Sequence, residues 1–220
     1  MGVRRLRQST PLRWPPGVHL FHYHLVTSKV RLVEARYVGK LGFELIARYG
    51  WVGESSHWFE PGKSWDDLDR MGFRLRLVEL VRGAVNVVVQ PGHWDVPRVD
   101  HLGVALDDDG FLAALERASD LELKIQDHPG KRTFIATEAG YRLEVHPPRE
   151  WIEELLDASG ELRLAQLHLR ADDPRAKAAA LAELFELERV DAEVMVGETL
   201  VRFVPGGPDG RPELVGEVFT

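Results

Sequence analysis

The chain of 220 residues has no cysteine. That excludes disulfides, thiolate metal ligands and a cysteine nucleophile, and leaves His, Asp, Glu or Gln as the side chains able to hold a metal. Long apolar runs are also missing: none could span a bilayer, and none follows the basic stretch Met1 to Arg7 as a signal-peptide core would. A cytoplasmic protein with no membrane partner is therefore expected. Positive charge is scarce, with 28 Lys and Arg against 35 Asp and Glu and a net charge of -7. Affinity for a phosphate backbone needs clustered Lys and Arg, so nucleic acid is not an expected partner. The one basic cluster, Arg4, Arg5, Arg7 and Arg13 ahead of Trp14-Pro15-Pro16-Gly17, reads as a solvated tail over residues 1–18.

The hydrophobic content of 44% is ample for one large core or two small ones. After Gly17 a strand, a helix and several strands recur three times. The first copy predicts a strand over His19 to Thr27 and a helix over Lys29 to Leu41, with Val30, Val33, Tyr37 and Leu41 on one face, Ser28 as cap and Gly42 as stop. Strands follow over Phe43–Tyr49, Phe73–Leu80 and Ala84–Gln90. An insertion, Trp51 to Met71, carries Trp58, Trp65 and an acidic run, and reads equally as a lid or a surface excursion. The second copy predicts a strand from Arg98, a helix around Phe111 to Ala118, and strands near Leu121, Arg132 and Tyr141. Together the two copies occupy residues 19–148. A connecting helix at Trp151–Leu156 and a third, degenerate copy occupy 149–220, with a strand at Leu162–Arg170, a helix at Pro174–Phe185 capped by Asp172 or Asp173, and strands near Val194, Leu200 and Leu214.

Successive residues of a strand point to opposite faces. Leu102, Val104 and Leu106 then face a covering helix, leaving His101 on the other face beside the small Gly103 and Ala105. By the same alternation Tyr23 and Leu25 go to the helix and His22, His24 and Val26 to the open side, while Arg142, Glu144 and His146 take the open face of the closing strand. If the two copies join edge to edge, His22, His101 and Glu144 converge. Two imidazoles and one carboxylate with open positions suit Fe(II) and also Zn²⁺.

The runs from His22 through Tyr37 to Leu41-Gly42-Phe43-Glu44-Leu45, from His101 to Asp108, and from Thr137 to Glu144 resemble the vicinal oxygen chelate superfamily of glyoxalases, epimerases, extradiol dioxygenases and bleomycin-resistance proteins. The resemblance implies an α+β fold of repeated βαβββ modules, forming curved mixed sheets with helices on the outer face. It implies His22, His101 and Glu144 as ligands of a divalent metal, Fe(II) favoured, with Zn, Ni, Co or Mn as alternatives, and a small oxygenated substrate.

The fourth ligand position of that family falls at about Val88, which makes the set similar to that of a ring-cleaving extradiol dioxygenase. A shift of two residues would instead put Gln90 there and imply a glyoxalase- or epimerase-type lyase or isomerase; Asn86 shares the same face. The tyrosine that assists dioxygenases corresponds to Phe134, and His128, before Pro129, takes the position of their acid–base histidine. The third expectation is a metal-free small-molecule binder similar to bleomycin-resistance proteins, with an aromatic groove. In the third copy Gln166 takes the place of His22 and His101, with Glu213 and Glu217 near it, and no metal is expected. That copy is expected to close over the first two or to pair with its equivalent in a homodimer.

Overall fold

A computed structural model describes residues 17–128, 132–147, 149–156 and 162–220. All but the last two residues of the expected basic tail lie outside that set. The first module contains β1 (His19–Thr27), α1 (Val30–Gly39), β2 (Glu44–Val52), β3 (Ser55–Phe59), α2 (Trp65–Arg70), β4 (Phe73–Arg82) and β5 (Val85–Pro91). The second contains β6 (Arg98–Ala105), α3 (Asp108–Asp120), β7 (Lys124–His128), β8 (Arg132–Ala136) and β9 (Arg142–His146). After α4 (Glu150–Leu155) come β10 (Leu164–Arg170), α5 (Pro174–Phe185), β11 (Arg189–Val190), β12 (Glu193–Val196), β13 (Thr199–Val204) and β14 (Glu213–Phe219). No helix among the described residues is long and apolar enough to cross a membrane.

The modules join as the histidine pattern requires. β1 runs antiparallel to β6, and each lies parallel to the last strand of its own module, β1 with β5 and β6 with β9. This gives the order β3-β2-β4-β5-β1-β6-β9-β8-β7 across the first two modules. Tyr23, Leu25, Leu102, Val104, Leu143 and Val145 are buried in one core cluster with Val30 and Tyr37 of α1 and Ala114 and Ala118 of α3. Each large side chain removed from water in this way contributes about 1.5–3 kcal/mol. The alternation thus sorts the sheet as expected, apolar side chains to the helices and histidines to the other side.

The third module packs on the same helix layer. Tyr141 Oη donates to the carbonyl of Lys177 in α5 at 3.0 Å, and Arg36 of α1 makes a two-pronged pair with Glu217 of β14 at 3.0 and 2.8 Å. Tyr37 donates to the same carboxylate and lies 3.0 Å from Tyr23 Oη. Leu167, Leu169, Ala178, Leu181 and Val201 complete the shared core.

Several local expectations need correction. Ser28 does not cap α1: its hydroxyl donates to Asp95 at 2.7 Å, and Thr27 Oγ1 accepts from Lys29 N instead. Gly42 does end that helical turn with φ +67°. The 51–71 insertion is ordered structure, a β2–β3 hairpin followed by α2, whose Ser64 forms a capping box with Asp67. Trp65 is structural within it: its ring lies under Arg31 and Arg48, each 4.5 Å away, and its indole N–H donates to Glu34 at 3.2 Å. Among the two caps offered for α5, Asp173 is the one used, accepting from Ala176 N. Finally, β14 is not the closing strand of the third module. It pairs antiparallel with β10 on the side opposite β13, as β6 pairs with β1, and so stands where the first strand of a fourth module would.

Candidate metal centre

β1 and β6 cross in a register that relates their histidines by an approximate two-fold axis. His22 pairs with Gly103 and His24 with His101, so turning the pair over exchanges His22 with His101 and His24 with Gly103. Two breaks of register follow the same symmetry. One lets Phe21 bulge out between Leu20 and His22; the other does the same to Asp100 between Val99 and His101. Gly103 has to be small, because a Cβ there would lie 2.7 Å from His22 Cβ.

The side chains implied as ligands come together. His22 Nε2 lies 3.1 Å from His101 Nε2, which lies 2.9 Å from Glu144 Oε2. With His24 they are 2–7% exposed, on the wall of a cavity of about 650 Å³ that Asn86, Val88, Gln90, Phe134 and Arg132 also line. Asp100 Oδ2 takes the Nδ1 proton of His101 at 2.8 Å, which fixes the tautomer and leaves Nε2 as the coordinating atom. Asp100 is held in turn by Arg142 and by Arg211 Nη2, 2.6 Å from its second oxygen. His146 donates to Glu144 Oε1 at 2.7 Å, so Oε2 is the oxygen turned toward His101.

This arrangement is short of protons. With Nδ1–H committed to Asp100, the Nε2 lone pair of His101 faces a carboxylate oxygen at 2.9 Å, and no tautomer of His22 supplies a proton to that contact. Glu144 Oε2 and His24 Nε2 are buried without a hydrogen-bond partner among the described residues. Burial and the neighbouring His101 push His22 down to about 3, and burial with His101 and His22 holds His24 well below the ordinary histidine range. Burial opposes charge on Glu144, but the imidazoles of His101 and His146 outweigh it and keep the carboxyl well below the usual range. Neutral imidazoles beside an ionised carboxylate are the forms a divalent cation binds, and a cation among them would satisfy the unpaired donors.

The neighbouring candidates sort by register. Glu144 pairs with Gly103, two residues beyond His101 in β6; the equivalent partner in the first module is Val88, opposite His24. Gln90 pairs with Val26, one step further along the same face. Phe134 pairs with Glu144 and sets its ring edge-on to His101, 5.2 Å between centroids. His128 is exposed at the end of β7, on the cavity wall; residues 129–131 of its turn lie outside the described set. The sequence reading gave no role to His24, Asp100, His146 or Arg211. His24 and His146 were open to it, since each lies two residues from a ligand on the same face. Asp100 was hidden, because simple alternation puts it on the face opposite His101 and only the bulge brings it round.

No protein-family model matches the sequence, and no curated protein matches it. Solved structures do. A variant of 4-hydroxymandelate synthase from Streptomyces coelicolor superposes with a TM-score of 0.56 at 14% identity, over 87% of this chain and 63% of that one. The 2,3-dioxygenase LapB from a Pseudomonas species gives 0.53 at 11% identity, over 90% and 73%. BphC, a halotolerant catechol dioxygenase, gives 0.52 at 14%, over 87% and 67%. The chain thus spans less than two thirds of the synthase's length. Paired βαβββ modules, joined through their first strands and carrying helices on the face away from the histidines, define the class. It is the fold of the vicinal oxygen chelate superfamily.

Proposed function

We propose that the chain is a metal-dependent enzyme that holds a small substrate through two adjacent oxygens in the 650 Å³ cavity. The observation that carries this reading is the meeting of His22 Nε2, His101 Nε2 and Glu144 Oε2 within 3.1 and 2.9 Å of one another in sequence along the site. A divalent metal held there would act as Lewis acid and template, stabilising negative charge on the substrate oxygens. The protein's own part is to fix donor geometry. Asp100 orients His101, His146 orients Glu144, and the apolar faces of Phe21, Phe134 and Val88 limit water. Arg132 Nε, 3.6 Å from Glu144 Oε1, adds positive charge at the rim, suited to an anionic substrate.

The reaction depends on how many coordination positions the protein leaves open. Three protein donors in an octahedron leave three, room for a chelating diol and O₂, which supports Fe(II)-dependent extradiol ring cleavage; the names of the similar dioxygenases favour the same reading. In that reading His128 is the acid–base candidate. Four donors leave two, which supports redox-neutral isomerase or lyase chemistry. The test is metal analysis of untagged protein with His22→Ala and Glu144→Ala alongside, followed by O₂ uptake with catechols under Fe(II). Near-stoichiometric metal lost in both variants is expected. No metal bound, even after reconstitution, would leave a metal-free binding protein and end the enzyme reading.

A further inference from the structure

His24 belongs to the same cluster, and neither the triad nor the resemblance uses it. Its ring is T-shaped to His101 with centroids 4.7 Å apart, and His22, His24 and His101 each offer a nitrogen within 4.8 Å of the other two. Its Nε2 is buried and without a partner among the described residues. With metal–nitrogen bonds of about 2.1 Å, neighbouring donors stand about 3 Å apart and opposite donors about 4.2 Å, so the three nitrogens fit one ion.

The pseudo-symmetry says why the donor is there. In the second module the register pair beside the ligand histidine is Gly103 on the first strand and Glu144 on the last. In the first module the same pair is His24 and Val88. The small residue and the donor have exchanged strands: where the second module takes its donor from the last strand, the first has an apolar valine there and an imidazole on the strand next to it. We propose that His24 is the fourth protein ligand, completing a His22–His24–His101–Glu144 set around one divalent metal. This rests on the metal reading above and sharpens it. Four protein donors leave two positions, enough for two oxygens of a substrate and too few for O₂ beside them, so the reaction is redox-neutral. Phe134 is consistent with this, since it offers no hydrogen bond to an oxygen intermediate.

The experiment titrates Co(II) into metal-free wild type, His24→Phe, Glu144→Ala and the double variant His24→Gly/Val88→Glu, reading affinity by chelator competition and coordination by visible absorption. Phenylalanine keeps the ring volume and removes the nitrogens; the double variant rebuilds in the first module the Gly/Glu pair of the second. Melting of the metal-free proteins checks that each is folded. Loss of a partner that merely orients a ligand costs about 10–100-fold in affinity, so removing a ligand is expected to cost about 100-fold or more. The expected result is that loss in His24→Phe with an altered Co(II) spectrum, and recovery of affinity in the double variant. Wild-type affinity and spectrum in His24→Phe, with metal lost in Glu144→Ala, would overturn the fourth ligand and leave the triad. Wild type that takes up no Co(II) would overturn the metal reading itself.

Discussion

The crossing of β1 with β6 and the crossing of β10 with β14 are the same piece of backbone made twice. Register steps fall at matching points, between Leu20 and His22 in one and Leu164 and Gln166 in the other, and again after His24 and His168. Gln166 therefore stands for His22, His168 for His24, and Gly216, the partner of His168, for His101. Asp100 becomes Val215, 40% exposed. The chemistry differs completely. In the third module Gln166 Oε1 accepts from His168 Nε2 at 2.8 Å, and Arg202, in the place of Val88, pairs with Glu193 at 2.6 Å. These polar groups satisfy each other. In the first two modules the corresponding groups are buried, aimed at one point and left unpaired. The scaffold alone does not make a metal centre; what distinguishes one is polar atoms that the fold buries and does not satisfy.

The comparison can be broken most severely at Glu144. Glu144→Ala removes the only carboxylate facing His101 Nε2, and bound metal is expected to fall from near one per chain to background in elemental analysis. Asp100→Asn should be milder. It weakens the orientation of His101 while leaving every proposed ligand in place, and about a 10–100-fold loss of metal affinity by chelator competition is expected. Arg211→Ala, which frees only one oxygen of Asp100, should lose less than Asp100→Asn does in the same assay.

A pH titration of the metal-free protein sharpens the contrast between orphaned and satisfied histidines. His22 is pushed down to about 3 in the folded chain and stands near 6.5 when unfolded. Between those values the unfolded chain binds a proton that the folded one does not, so stability falls as pH drops from about 6.5 toward 3. The slope is about 1.4 kcal/mol per pH unit for that group. His22→Phe should flatten it in denaturant melts across that window. At the small end, Gln166→Ala and His168→Ala should leave metal content unchanged and alter stability by about 1 kcal/mol or less. Metal lost in either would mean that the two crossings are not chemically distinct.

Much of the fold was legible because it follows local patterns. The run His19–Thr27 alternates without interruption and became β1 with those ends. Pro174 after Asp173 marked the start of α5, and Gly42 the end of α1. His22, His101 and Glu144 share a face that alternation alone identifies, and pairing of β1 with β6 brings them together. The remainder depends on events a single strand does not announce. The position of β14 needs its pairing with both β10 and β6, and its residues read equally well as the end of the third module. Arg211 reaches Asp100 from a segment more than 100 residues away in sequence. The partnership of His24 with Val88 is a statement about register between strands, and register is fixed by the assembled sheet.

The two bulges at Phe21 and Asp100 also make chain length, more than residue identity, the vulnerable property of this site. A substitution at either position alters one side chain. A one-residue deletion would straighten the strand, and everything beyond it would slip by one and change faces. His22 or His101 would then be driven into the helix layer while Tyr23 or Leu102 turned to the cavity. Among diverging copies of this sequence, substitutions around the centre would be expected to accumulate freely, whereas insertions and deletions within β1 and β6 should be rare.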